Sequence, residues 1–277
     1  MDGEALLAQS HRSSACVFAH PAHEWFTLAA LLRLQPDIYY LSPGPFNDPE
    51  FESHFREAMT KIGYRGSITI APIREDEVYA HYLRHDEKWF QEQRQRLATW
   101  LKEVEPSVIF TDPFEWYNSA HDLAPLLTSA ALLSLGRGPG DVVLAEHGIA
   151  IQTIAPEARD TSGWSKVMLT EEEEPAKAIL LECMREFIER SPYPITDDLA
   201  AIVGNWPSEL VRTEFYRTTP VERSFLQPPV TKGWVTYDVR GQRRVAEGRS
   251  KEAISFGKHF APLAKSLLRR HATASIG

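Results

Sequence analysis

Cysteine is almost absent from this 277-residue chain, which contains only Cys16 and Cys183. The two lie far apart and outside any cysteine cluster, which argues against a disulfide scaffold and fits a reducing compartment. Cys16 falls within an apolar run and is predicted to be a small core residue. The remaining composition, 43% hydrophobic and 25% charged, is that of an ordinary globular chain. Its length is enough for the core of one large α/β domain, alone or with an appendage.

Long apolar runs and an excess of basic residues are also missing. No run approaches the roughly 20 residues that cross a bilayer, and residues 1–14 lack the apolar stretch of a secretory signal. The net charge of -8 argues against nucleic-acid binding, which needs a basic face. We therefore expect a cytoplasmic protein that acts on a small polar molecule, without a nucleic-acid or membrane partner.

Nucleotide-binding motifs are absent as well. The chain has no G-x-G-x-x-G after a predicted strand and no P-loop. Its glycine-rich stretch, 136–140, contains Pro139 and is predicted to be a turn. Dinucleotide and nucleotide binding are therefore disfavoured.

What the sequence does contain is an alternation of short apolar runs with helical repeats. Strands are predicted at 15–19, 37–41, 67–73, 107–111 and 142–145. Helices are predicted at 24–34, 49–63 and 123–135, and one or two helices over 75–104. Such alternation implies βαβ crossovers. The predicted fold class is α/β and Rossmann-like, a mainly parallel sheet flanked by helices.

The second half of the chain is less regular. A helix is predicted at 171–189 and irregular packing over the sheet at 191–223. A hairpin of residues 234–239 and 243–246, around Arg240-Gly241-Gln242, precedes a helix over 252–270. We assign 1–223 to the α/β domain and 224–277 to a small C-terminal hairpin–helix extension packed on it. Three roles of the extension stay open: cover of the sheet, wall of the site, or contact of a homo-oligomer.

Histidines follow two of the predicted strands. His20 and His23 lie where the first strand gives way to a helix, and His121 lies in a polar, aromatic loop after the fourth strand. A His-Pro turn alone is ordinary turn chemistry, but the carboxyl ends of parallel strands share one edge of a sheet, where ligands bind. If these strands are neighbours, the three imidazoles form a zinc site with an open fourth position. Iron, copper or another divalent transition metal also suits such ligands.

The first turn reads Ala-His-Pro-Ala-His-Glu over residues 19–24. It resembles the Ala/Pro-His-Pro-Asp-Asp-Glu signature of the PIG-L/LmbE-like zinc-dependent N-deacetylases. Further similar stretches are 55–58 with 62–63, 97–111 and 118–121, and more weakly 177–179 and 214–216. The resemblance covers residues 14 to 220, and it implies a Rossmann-like fold and hydrolysis of an N-acetyl group, usually on an amino sugar.

Carried over by position, the metal ligands of the family become His20, His23 and His121. The second of these is an aspartate in the family, so the exchange keeps a donor and removes a negative charge. The family's general base is Ala22 here, and the histidine that assists at the tetrahedral intermediate is Asn118. The resemblance thus implies a divergent member that keeps the metal site and lacks two acid–base groups.

Five residues in the two turns are candidates for catalysis: Glu24, Asp112, Tyr117, Asn118 and Asp122. The three carboxylates offer replacements for the missing base, and Tyr117 offers a donor to a developing oxyanion. Structural alternatives remain, with Glu24 as a contact to the second loop, Asp122 as a helix cap and Tyr117 as an aromatic lid. His147, which follows the fifth strand, could line the same rim, but it is predicted to be a core or turn histidine.

Three functions are compatible with these residues. The first is a metal-dependent hydrolase that resembles the amino-sugar deacetylases and acts on an amide or related bond of a small polar metabolite. The second is a metalloenzyme of non-hydrolytic chemistry that uses iron or copper. The third is a catalytically silent relative that binds a ligand or a partner.

Overall fold

The computed structural model describes residues 2–8, 13–44, 49–149, 161–190, 212–229, 236–248 and 251–269. Its strands are β1 (Ser14–Phe18), β2 (Asp37–Tyr40), β3 (Ile68–Ile70), β4 (Val108–Thr111), β5 (Val143–His147), β6 (Ser165–Met168) and β7 (Thr213–Thr219). Its helices are α1 (Gly3–Leu7), α2 (Leu28–Leu34), α3 (Pro49–Lys61), α4 (Glu75–Leu83), α5 (Glu87–Val104), α6 (Ser119–Ser134), α7 (Glu174–Arg190), α8 (Tyr237–Ala246) and α9 (Ala261–Leu267). A 3-10 turn lies at Glu24–Phe26 and a π-helical turn at Phe256–Phe260. Within these ranges, no helix combines the length and apolarity needed to span a membrane.

The seven strands form one sheet in the order β3-β2-β1-β4-β5-β7-β6. The first five strands pair in parallel, and β7 is antiparallel to both β5 and β6. The prediction of an α/β fold with a mainly parallel sheet is therefore confirmed. Each apolar run predicted as a strand lies in the sheet, because a parallel strand covered on both faces needs apolar side chains on both.

Helices cover both faces of the sheet. Alternate residues of β1 point to opposite faces, so Ala15 and Val17 lie in one apolar cluster while Cys16 and Phe18 lie in the other. The first cluster includes residues of α5 and α6, and the second includes residues of α2, α3 and α7. Cys16 is fully buried, as expected for a small core residue.

The prediction of irregular structure over 191–223 is wrong where the structure describes that segment as β7. Charged residues interrupt the apolar pattern of this strand, so the sequence does not identify it. Glu214 of β7 is completely buried, and it forms an ion pair with Lys177 of α7, which is also completely buried. Residues 191–211 lie outside the described part of the chain.

The predicted C-terminal hairpin is also wrong, because residues 237–246 form the helix α8. Thr236 caps this helix by accepting from Val239 N at 3.5 Å, and arginines in its last turn suit the negative end of the helix dipole. Gly241 serves close packing rather than a turn, since a Cβ there would lie 2.8 Å from the Cβ of Ala253. Residues 234 and 235 of the predicted hairpin lie outside the described ranges.

The helix predicted over 252–270 begins only at the π-helical turn and continues as α9. Phe256, Phe260 and Leu263 belong to the same apolar cluster as α5 and α6. This C-terminal segment therefore packs on the face of the sheet that those two helices cover.

The order of the strands reverses between β1 and β4. β1 has β2 as its other neighbour, whereas β4 has β5. In open α/β sheets, ligands bind in the crevice outside the carboxyl ends of strands at such a switch point. The loops that follow β1 and β4 start side by side, and Ala19 N donates to Asp112 Oδ2 at 2.7 Å.

Candidate metal centre

The first turn of the site joins β1 to the 3-10 turn and carries His20 and His23. Ala22, between the two histidines, has a φ of 87°. Glu24 holds this conformation, since its carboxyl group accepts from Ala22 N at 2.7 Å and from the Tyr40 hydroxyl. The turn is thus fixed by a buried side chain of its own segment and by a residue of β2.

The second loop of the site runs from the end of β4 to the start of α6, which carries His121. Asn118 caps α6, because its Oδ1 atom accepts from Ala120 N at 2.9 Å. Asp122 folds the loop back on the helix by accepting from Glu115 N at 3.0 Å and from Trp116 N at 3.1 Å. His121 is therefore presented from the first turn of a capped helix.

The three predicted ligands lie together. Their ring centroids are 4.3 Å apart for His20 and His23, 4.4 Å for His23 and His121, and 5.0 Å for His20 and His121. His20 and His23 are buried, and His121 is half-buried. One donor atom from each ring lies within 4.8 Å of the others, so the group could hold a metal ion.

Hydrogen bonds from the Nδ1 atoms leave two of these rings with Nε2 as the donor to a metal. His20 Nδ1 lies 2.7 Å from the Pro21 carbonyl oxygen, and His23 Nδ1 lies 2.6 Å from Asp112 Oδ1. Both contacts need a hydrogen on Nδ1, so each Nε2 atom keeps its lone pair. Outer partners of this kind are typical of metal-binding histidines.

The spacing of the nitrogens also fits an ion. His20 Nε2 and His121 Nε2 are 3.1 Å apart. Two nitrogens bound tetrahedrally at about 2.1 Å from one zinc ion are about 3.4 Å apart. Because His20 Nε2 carries a lone pair, two nitrogens can lie this close only if a hydrogen on His121 Nε2 or a shared cation lies between them. The residues present therefore fit a divalent metal.

The protonation states agree with that chemistry. Burial lowers the pKa of His23 to about 4, although Asp112 opposes the shift. Burial, together with the neighbouring imidazoles of His23 and His20, holds the pKa of His121 well below its ordinary value. Both rings are neutral at physiological pH, which is the form that binds a metal.

The three candidate carboxylates each have both oxygens in hydrogen bonds. Burial raises the pKa of Asp112, but the contacts with His23 and His147 outweigh it and hold that pKa below its usual range. Burial raises the pKa of Glu24 and that of Asp122 to about 8 each. Asp112 is thus an acceptor shared by two rings, while the other two hold together the turns in which they lie.

Two structural alternatives for these carboxylates need correction. Glu24 contacts its own turn and β2, rather than the second loop. The residue that caps α6 is Asn118 and not Asp122, whose acceptors bind the backbone of Glu115 and Trp116 instead. In both cases other N–H or O–H groups lie closer to the carboxyl group in the folded chain and donate to its oxygens. The contact that sequence spacing suggests is therefore not made.

Tyr117 and Asn118 lie beside His121. The ring of Tyr117 is 6.1 Å from that of His121, and the guanidinium group of Arg240 lies 4.0 Å above the centre of the Tyr117 ring. The Asn118 Oδ1 atom also accepts from the Tyr79 hydroxyl at 3.2 Å. α8 therefore reaches the rim of the site through Arg240, a residue that carries no functional signal in the sequence.

The sequence predicts a core or turn residue at His147, with a place on the same rim as the alternative, and the structure gives a buried residue that also contacts the site. His147 is completely buried, and its Nε2 atom lies 2.9 Å from Asp112 Oδ1. His23, Asp112 and His147 form a second group with metal-ligand spacing, but their facing atoms already bind one another. The strand register could have revealed the contact, since Thr111 pairs with Glu146 and the next residues are Asp112 and His147.

Comparisons with known proteins give similarities of fold at low sequence identity. No protein-family model and no curated protein matches the chain. Among solved structures, the A40926 pseudoaglycone deacetylase Dbv21 is 12% identical with a TM-score of 0.48, and the match covers 78% of this chain and 100% of that one. The N,N'-diacetylchitobiose deacetylase from Pyrococcus horikoshii is 16% identical with a TM-score of 0.47, covering 76% and 84% of the two chains. The conserved protein TT1542 from Thermus thermophilus is 17% identical with a TM-score of 0.43, covering 81% and 99%.

Proposed function

We propose that this chain is a metal-dependent hydrolase that cleaves an amide or related bond of a small polar molecule, with zinc as the metal. The observation that carries the proposal is the convergence of His20, His23 and His121, with the first and last Nε2 atoms 3.1 Å apart. The resemblance of residues 19–24 to the PIG-L/LmbE-like signature supports a substrate from which an N-acetyl group is hydrolysed.

In the proposed site the three imidazoles would hold the ion, with Nε2 as the donor atom of His20 and of His23. A zinc ion, when bound, polarises a carbonyl group and lowers the pKa of a coordinated water. The Pro21 carbonyl and the Asp112 carboxylate fix the orientation of the first two rings by holding their Nδ1 hydrogens. The capped first turn of α6 positions the backbone of His121.

Tyr117 and Asn118 are the donors proposed for the oxygen of the scissile carbonyl. Because Asn118 Oδ1 accepts from Ala120 N and from the Tyr79 hydroxyl, the group it offers to a ligand is its amide N–H. Donors aimed at a developing oxyanion typically contribute 10²- to 10³-fold to kcat. Alanine at position 22 supplies no general base, and we expect this absence to slow turnover by about 10²- to 10⁴-fold relative to a site that has one.

A second candidate function is a metalloenzyme of non-hydrolytic chemistry with iron or copper. The observation that favours it is the absence of a carboxylate from the group formed by His20, His23 and His121, since three neutral imidazoles also suit those metals. The oxygens of Glu24 and Asp112 already accept hydrogen bonds, those of Asp112 from His23 Nδ1 and Ala19 N. Metal identity therefore separates the two candidates.

The test is elemental analysis of protein purified without oxygen, combined with release of acetate from a panel of N-acetylated amino sugars. We expect one zinc per chain, and we expect His121→Ala to lose both the metal and the activity. The matched control is His54→Ala, since His54 is exposed and pairs with Glu186 rather than with a residue of the metal centre. Stoichiometric iron or copper would favour the second candidate. Protein without metal, in which His121→Ala changes nothing, would contradict both.

A further inference from the structure

A chain of hydrogen bonds continues behind His23 into the core. Asp112 Oδ1 lies 2.6 Å from His23 Nδ1 and 2.9 Å from His147 Nε2. The second oxygen of Asp112 accepts from Ala19 N at 2.7 Å. His23 is 4% exposed, and Asp112 and His147 are completely buried. No bulk solvent therefore competes for these bonds.

The directions of these bonds follow from what each partner can do. The Ala19 N–H can only donate, so Asp112 Oδ2 is an acceptor. A carboxylate accepts at both of its oxygens, and each of the two imidazoles satisfies Oδ1 by donating a ring N–H. His147 then carries its hydrogen on Nε2, and its Nδ1 keeps a lone pair. That Nδ1 atom has no hydrogen-bond partner among the described residues.

Aromatic rings hold the imidazole of His147 in this orientation. It stacks on Phe26 with centroids 5.7 Å apart and an interplanar angle of 14°, and it meets Phe18 edge-on at 5.5 Å. A buried acceptor without a partner lowers the stability of a fold. In this fold Nδ1 of His147 stays without a partner among the described residues, while Nε2 donates to Asp112. The orientation of the ring therefore favours the hydrogen bond to Asp112.

We propose that His147 is a positioning residue for the metal ligand His23 and acts through Asp112. Two N–H donors on one oxygen hold the carboxylate so that it faces His23 Nδ1, which leaves His23 Nε2 for the ion. By donating to the same oxygen, His147 also competes with His23 for the charge of the carboxylate, so His23 would remain a neutral donor to an ion. This role rests on the metal site proposed above, and it extends that site by one residue from β5.

The experiment uses the full-length chain and Co²⁺ as a spectroscopic probe of the metal site. His147→Gln keeps a terminal N–H, and His147→Phe removes it. We expect the Gln variant to bind Co²⁺ within about 3-fold of the wild-type affinity, with the same visible absorption bands. The Phe variant should lose about 10- to 100-fold in affinity, as outer-sphere partners of metal ligands typically do, and its bands should shift. Phe26→Leu is the matched control, because it changes the packing on the same ring and keeps the hydrogen bond.

The outcomes separate this inference from the proposed function. If the wild type binds no Co²⁺, both are overturned. If it binds Co²⁺ and His147→Phe matches it in affinity and spectrum, only the role of His147 is overturned. Should the Phe variant not fold, long-range ¹H–¹⁵N correlation spectra of the metal-free wild type decide. They should show His23 protonated on Nδ1 and His147 on Nε2, and a hydrogen on His147 Nδ1 would overturn the inference.

Discussion

The buried ion pair between Lys177 and Glu214 anchors the segment that carries the first turn of the site. Lys177 Nζ donates to Glu214 and to the Trp25 carbonyl, and it lies 4.4 Å from the centre of the Trp25 ring. Glu214 also accepts three further hydrogen bonds, from Leu28 N at 2.8 Å, Ala29 N at 3.0 Å and the Tyr216 hydroxyl at 2.6 Å. The pair therefore joins α7 and β7 to the 3-10 turn that follows His23 and to the start of α2.

Replacing Lys177 with Met should lower the free energy of unfolding by about 4 kcal/mol. Removing one member of a buried pair typically costs 3–5 kcal/mol, because the remaining charge stays buried without its partner. The three other donors to Glu214 reduce that cost, while the Trp25 carbonyl that loses its donor adds to it. The sum is a large share of the 5–15 kcal/mol that usually stabilises a domain.

Urea unfolding of the metal-free protein measures this effect. Lys61→Met is the control, since Lys61 and its partner Glu57 are each 60% exposed and such surface pairs contribute about 0–1 kcal/mol. In the double variant Lys177→Met/Glu214→Gln, the loss should be at least about 2 kcal/mol smaller than the sum of the two single losses. A loss at Lys177→Met no larger than that of Lys61→Met would refute the reasoning.

Two further predictions concern the second loop and its supports. The Glu146 carboxylate is buried, yet its two arginine partners outweigh burial and hold its pKa below the ordinary value. Its stabilisation is therefore present above the unfolded pKa of about 4.3 and is lost as the pH falls through the lower folded pKa. The difference in free energy of unfolding between the wild type and Glu146→Gln should accordingly decrease from pH 5 to pH 3 in urea titrations. A difference that stays constant over this range would contradict the prediction. Asp238 accepts from Trp116 Nε1 at 2.6 Å and from Phe256 N at 3.0 Å. Asp238→Asn should cost about 1.5–3 kcal/mol and change the Trp fluorescence of the folded state, whereas unaltered stability would show that the contact contributes nothing.

The sequence predicts the strands whose residues are mainly apolar, and it misses β7, in which charged residues interrupt the apolar pattern. β1, β2 and β4 are short runs of apolar residues bounded by helical repeats, so their period and flanks identify them. β7 carries Glu214, which looks like a solvated residue until its partner Lys177 is known. No local pattern shows that pairing. In the same way, Gly241 suggests a turn because only the fold shows how close Ala253 lies.

The convergence of the three histidines follows from topology, whereas the roles of the carboxylates do not. The predicted ligands lie at the end of β1 and at the start of the helix after β4, and these strands are neighbours. A carboxylate in a loop, by contrast, takes the nearest N–H or O–H groups, and these depend on the folded path of the chain. Glu24 therefore accepts from Ala22 N and the Tyr40 hydroxyl, contacts that sequence spacing does not reveal.

The positive φ of Ala22 has a consequence for engineering the pocket. Alanine rarely adopts a φ of 87°, whereas aspartate and asparagine are enriched several-fold among residues of positive φ. The backbone between the two histidines is thus already in a conformation that an acidic residue tolerates. An acidic side chain can be introduced here by one codon change without rerouting the chain, which makes this turn the natural starting point for building a proton acceptor into the site.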